Sequence, residues 1–131
     1  DKTVPYEGIK EAALEIKKSG FVITVNSNKN DKDAGFLAEQ FFPGVFDFVL
    51  GSRPGMEKKP APDGVNFILQ KFGFTKEETI FIGDYQTAVN AGVRFVGCDW
   101  GFRGRKFLEE HGVKIIADNP RELPKLINSL H

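Results

Sequence analysis

Thr79-Ile80-Phe81-Ile82-Gly83-Asp84-Tyr85 decides how the rest of the chain is read. Four consecutive apolar or β-branched residues predict a strand buried on both faces, as in the middle of a parallel sheet. Gly83 lets the backbone turn sharply and approach a ligand closely. Asp84 then stands at the carboxyl end of that strand, the edge where open α/β sheets bind their ligands. The same Asp also reads as a plain N-cap for a following helix. The segment alone therefore does not separate scaffold from chemistry.

The flanking segments supply the pattern. Upstream, after an irregular lead-in at Pro5-Tyr6-Glu7-Gly8, Ile9, Ala12, Ala13 and Ile16 recur at helical spacing, with Lys10, Glu11, Glu15, Lys17 and Lys18 on the other face. Gly20 ends that helix. Phe21 to Val25 reads as a buried strand running into a polar loop, Asn26-Ser27-Asn28-Lys29-Asn30. Asn30 or Asp31 can cap the next helix, whose apolar face is Ala34, Leu37, Ala38 and Phe41, and Pro43-Gly44 stops it. Val45 to Leu50 reads as a second strand, and Gly51 to Asp63 as a long Pro/Gly/Lys loop. A helix with Val65, Ile68, Leu69 and Phe72 closes at Gly73, and Thr75 caps a short turn before the central strand.

Downstream of Asp84, a short segment ends at Ala91-Gly92, and Phe95 to Cys98 is a further strand. A loop follows from Asp99 to Gly104, then a helix from Arg105 to His111 and a short edge strand from Val113 to Ile116. Asn119-Pro120 opens a last helix with Leu123, Leu126, Ile127 and Leu130 on its apolar face. Strands alternating with amphipathic helices predict right-handed βαβ units in a doubly wound, Rossmann-like α/β sheet, within a single domain over 1–131.

Bulk properties narrow the function classes. The 131 residues carry a formal net charge of zero, which argues against a dedicated nucleic-acid or anionic-membrane surface. No apolar run approaches membrane-spanning length, and Asp1-Lys2-Thr3-Val4-Pro5 does not read as a signal peptide. The single Cys98 cannot form an internal disulfide, so a reducing, cytoplasmic setting is expected.

Three polar groups fall at or just beyond carboxyl ends of predicted parallel strands: Ser27 with Asn28, Lys59, and Asp84. Parallel strands deliver all those ends to one sheet edge. A hydroxyl and backbone N–H groups suit a phosphate oxygen, an ammonium neutralises phosphoryl charge, and a carboxylate holds Mg²⁺. Each also has an ordinary reading, as turn residues or a solvated lysine. In this order they describe phosphoryl-transfer equipment.

At these residues the sequence resembles the haloacid dehalogenase-like hydrolase superfamily, and within it the phosphoglycolate-phosphatase-like group. Val25-Asn26-Ser27-Asn28-Lys29 resembles the second motif, Lys58-Lys59-Pro60-Ala61-Pro62-Asp63 the third, and Ile82-Gly83-Asp84 the start of the fourth. Cys98-Asp99-Trp100-Gly101-Phe102-Arg103 and Ala117-Asp118-Asn119-Pro120-Arg121-Glu122-Leu123 resemble the loop and last helix of that group. The resemblance implies a phosphatase acting on a small phosphorylated metabolite through an aspartyl-phosphate, with Mg²⁺ bridging the nucleophile and the fourth-motif acid. It implies Ser27 and Asn28 as phosphate binders, Lys59 as the group that orients and neutralises nucleophile and phosphate, and Asp84 as a metal ligand.

Two departures stand out. No apolar strand leads into Asp-x-Asp-Gly-Thr. Asp31-Lys32-Asp33 mimics that pattern but reads as first-turn helix acids favoured by the dipole. In the family the missing strand lies between those ending at Ser27 and Asp84, so two inner edges would stand open and a longer chain, with a cap domain, is expected. Also, the position four after Asp84, where the family has a second acid, is Ala88, and the segment to Gly92 is short by about one helical turn. Either a metal-site acid is lost, or residues are omitted between Thr87 and Ala88.

Taken at face value, the missing acids describe a catalytically inactive binding or regulatory module instead. A receiver-type phosphoacceptor domain would want an acidic pair after its first strand, where Asn26 to Asn30 stand. Among the remaining polar residues, Arg103, Arg105 and Lys106 read either as attracting an anionic substrate or as a solvated helix start. Trp100 and Phe102 either border the site or pack, His111 reads as a helix C-terminal partner, and Cys98 as a small core residue.

Overall fold

A computed structural model describes residues 8–101 and 103–130. The lead-in before Gly8 and the Phe102 side chain lie outside the described residues. Among the described residues six helices and five strands alternate. They are α1 (Ile9–Lys18), β1 (Thr24–Asn30), α2 (Asp31–Phe41), β2 (Phe48–Ser52), α3 (Asp63–Phe72), β3 (Ile80–Ile82), α4 (Tyr85–Ala91), β4 (Arg94–Cys98), α5 (Gly104–Glu110), β5 (Ile116–Ala117) and α6 (Leu123–Leu130). Short 3₁₀ turns precede β3 and α6. None of the described helices is long and apolar enough to cross a membrane.

Every strand pairing is parallel, but the strands form two sheets, β1-β2 and β3-β4-β5. Ile23, which leads into β1, and Ile80 of β3 pack on one core with Ala12, Ile16, Val96, Ala117, Leu123 and Ile127. The segment leading into β1 and the three-stranded sheet therefore share a hydrophobic core, while the two sheets do not pair. Residues alternate faces along a strand, so Phe81 points away from Ile80. It packs instead with Val65, Leu69, Ala91 and Val93, between α3 and α4. Helices thus cover both faces, as right-handed crossovers running in opposite directions require. The architecture is a doubly wound α/β fold lacking a strand between β1 and β3 among the described residues.

That gap corrects the reading of β3. Ile80 and Phe81 are only partly buried, and Ile82 is 38% exposed. A central strand buried on both faces needs neighbours along both edges, and β3 has β4 alone. Other bounds shift as well. The first strand begins at Thr24, not Phe21, and continues through the expected polar loop to Asn30. The second is Phe48–Ser52, not Val45–Leu50, because Thr24 pairs with Phe48. The lead-ins are tied by the Asp47 carboxylate, which accepts from Ile23 N–H at 2.8 Å and from Lys17 Nζ at 2.9 Å. These bonds hold its carboxyl below the usual carboxylate range, the Ile23 N–H contributing most. The edge strand shrinks to Ile116–Ala117, since Val113 still donates to Leu108 O and finishes α5.

Candidate active site

The ladder between β1 and β2 steps from Asn26↔Leu50 to Asn30↔Ser52, leaving residues 27–29 bulged out of register. A bulge re-aims the side chains it carries. Here it turns Ser27 and Asn28 toward the loop after β2. Ser27 Oγ accepts from Lys29 N–H at 3.1 Å. The Asn28 amide grips Lys59: its Oδ1 accepts from Lys59 N–H at 2.8 Å, and its Nδ2 donates to Lys59 O at 3.2 Å. Ser27, Asn28 and Lys59 line one narrow cleft with Asn26, Ser52 and Gly64. Its free space of about 10 Å³ holds a water-sized group, so the body of any metabolite must lie outside.

Asp84 lies outside that cleft. It lines a neighbouring cavity of about 430 Å³ with Ile82, Tyr85, Trp100 and Arg103. Lys59 and Asp84 still feel one another. Burial pushes the Lys59 ammonium below its ordinary value, and attraction to Asp84 offsets part of that fall. Asp84 is also the N-cap of α4: Oδ2 accepts from both the N–H and the Oγ1 of fully buried Thr87, each at 3.1 Å. Oδ1 faces Arg103 Nε at 4.0 Å, and the Arg103 guanidinium lies 4.6 Å from the centroid of Phe107. The helix-cap reading and a position beside the cleft are therefore both realised.

Asp84 is 34% exposed and offers one carboxylate to a cation, and the described residues contain no group of three or more His, Cys, Asp or Glu able to hold a metal. Ala88, where a second acid is expected, is buried inside α4. Asp31 and Asp33 sit in the first turn of α2, with Asn30 as its cap. Asp31 accepts from Gly51 N–H at 2.9 Å and Arg53 Nε at 3.2 Å, a structural use.

The remaining polar residues sort by contact. Arg105 is committed to Asp99, Glu109 and Asp118. His111 closes α5 through Nδ1 and Phe107 O at 2.8 Å. Cys98 is partly buried and its thiol is pushed up to about 11, so it is no nucleophile at neutral pH. Two groups escaped the sequence reading. Thr87 sits at the Asp-x-x-Thr spacing of an N-cap, which is a usable signal. Asn90, whose Nδ2 donates to Pro60 O at 2.9 Å, carried none. Asn26 Nδ2 is buried without a partner, pressed where a Gly64 side chain would stand.

A family model described as haloacid dehalogenase-like hydrolase matches residues 1–98. A phosphoglycolate phosphatase of Pseudomonas putida is 29% identical over 126 residues, 92% of this chain and 46% of the relative. A crystal structure of a Lactobacillus delbrueckii subsp. bulgaricus protein assigned as a phosphoglycolate phosphatase superposes with TM-score 0.89 at 35% identity, covering 97% of this chain and 55% of that one. The solution structure of the core domain of a Streptococcus pneumoniae protein of like assignment gives TM-score 0.72 over 95% of this chain and 88% of that one. At 17% identity it shows the fold alone. The chain spans about half the length of the curated relatives it matches.

Proposed function

Because the chain belongs to the haloacid dehalogenase-like hydrolase family, we propose that it forms the carboxyl-terminal part of the core of a Mg²⁺-dependent phosphatase. Its substrate is a small phosphorylated metabolite, and its setting is cytoplasmic. One observation carries the reading: a hydroxyl from β1 and an ammonium from the loop after β2 line a single cleft, with Asp84 close enough to act electrostatically on that ammonium.

In this reading Ser27 donates a hydrogen bond to a phosphoryl oxygen, and the bulged backbone at Asn28 offers an N–H beside it. Lys59 neutralises charge that grows on the phosphoryl group in the transition state. Asp84 is the group this chain offers to Mg²⁺, which when bound supplies charge neutralisation and polarises the phosphoryl oxygens. The nucleophilic Asp, which would carry the phosphoryl group as an aspartyl-phosphate until water releases it, belongs to a strand outside these residues, as does the cap that reads the leaving group. The names of the relatives make phosphoglycolate the first substrate to try.

The full-length protein, assayed on p-nitrophenyl phosphate and phosphoglycolate with and without Mg²⁺, tests this. Turnover that requires Mg²⁺ is expected. A second reading, an inactive phosphate-binding module, is favoured by Ala88 standing where the family places an acid. It predicts no turnover under any condition while inorganic phosphate still binds.

A further inference from the structure

Lys59 lies in a loop that leaves β2 at Ser52 and reaches α3 only at Asp63. A loop of that length does not by itself fix an ammonium to the tolerance phosphoryl transfer needs. Two side-chain amides fix it from outside. Asn28 reads both backbone groups of Lys59, as a neighbouring strand would, at 2.8 and 3.2 Å. Pro60 has no N–H, and its carbonyl accepts from Asn90 Nδ2 at 2.9 Å, while Asn90 Oδ1 accepts from Gln86 Nε2 at 2.9 Å. The Lys59–Pro60 dipeptide is thus pinned to the strand carrying Ser27 and to the helix capped by Asp84. Both struts are neutral, so they position the ammonium without competing for its charge.

We infer that Asn28 is a positioning residue: its side chain acts on the reaction through the Lys59 backbone and not by touching phosphate, with Asn90 as the second strut. This rests on the phosphatase reading above and sharpens it. The alternative, direct contact of the Asn28 side chain with phosphate, makes a different prediction in a double-mutant cycle. Asn28→Ala, Lys59→Ala and the double variant are made in the full-length protein, and kcat and KM are measured on p-nitrophenyl phosphate. Asn28→Ala is expected to lower kcat about 10- to 100-fold. In the Lys59→Ala background it is expected to change kcat less than about twofold, because the group it positions is gone. Losses that multiply would overturn the inference.

Should Asn28→Ala fail to fold, the near-isosteric and uncharged Asn28→Leu carries the same cycle, removing both bonds to the Lys59 backbone without adding charge. A readout independent of turnover is hydrogen exchange at the Lys59 amide. Protection in the parent that is lost in the Asn28 variant supports the strut even if the parent proves inert and the phosphatase reading fails. A Lys59 amide that exchanges freely in the parent, or equally in both, overturns it.

Discussion

Lys59 is held in a place that suits chemistry better than stability. Its ammonium is partly withdrawn from water and holds its proton less tightly than a free lysine, burial being the main cause. In the window between that lowered folded value and the unfolded one, near 10.4, the folded chain binds fewer protons than the unfolded. Stability therefore rises with pH through that window, and below it the charged Lys59 is a constant cost. Lys59→Met is expected to raise the melting temperature at pH 7 by on the order of 2–5 °C. The gain should fade as melts are repeated toward pH 10. The same variant is expected to lose about 100- to 1000-fold in kcat, as when one transition-state donor is removed. The parent activity should begin to fall on the alkaline side below the pH at which free lysine titrates. A melting temperature that drops at pH 7 would contradict the assignment of burial as the dominant influence.

Between neighbouring elements the fit is tight where β2 meets α2. A Cβ on Gly51 would stand 2.5 Å from Asp31 Cα and 2.7 Å from Lys29 O, which are backbone atoms that cannot swing aside. Gly51→Ala is expected to destabilise by about 1–3 kcal/mol, read from the urea midpoint at unchanged slope. It should also disturb the bulge that aims Ser27. An unchanged midpoint would mean that β2 and α2 approach less closely than this. That closeness was not legible in Gly51-Ser52-Arg53, which reads only as a loop start. Helices were legible because Ile9/Ala12/Ile16 and Leu123/Ile127 repeat at helical spacing and bury that face. The start of β1 was misplaced because Phe21, Val22 and Ile23 have strand composition, whereas pairing begins only where Phe48 stands opposite Thr24. Polar Asn26 to Asn30 looked like a loop because no single-sequence pattern encodes a bulge. Of the site, Ser27, Lys59 and Asp84 stood out through motif order. Thr87 did not, although its Asp-x-x-Thr spacing was readable, and Asn90 did not because its role depends on the Pro60 carbonyl that folds against it.

Taken together, the five parallel strands of the described residues make two sheets, joined through a core that the lead-in to β1 enters, and leave inner edges at β1 and β3. Those edges flank the cleft of Ser27 and Lys59 and the cavity of Asp84, which is where a strand bearing the nucleophile is proposed to insert. In the 131-residue chain studied alone, amides of Thr24–Asn26 and Ile80–Ile82 that face away from β2 and β4 should exchange within minutes. In the longer protein they should be protected. Equal exchange in both would leave no place for the inserted strand. The most direct test of the common phosphoryl pocket is a crystal structure of the full-length protein with tungstate and Mg²⁺. The tungstate is expected within hydrogen-bond reach of both Ser27 Oγ and Lys59 Nζ, with Mg²⁺ at Asp84. Tungstate bound away from Ser27 and Lys59, or Mg²⁺ held without Asp84, would contradict it.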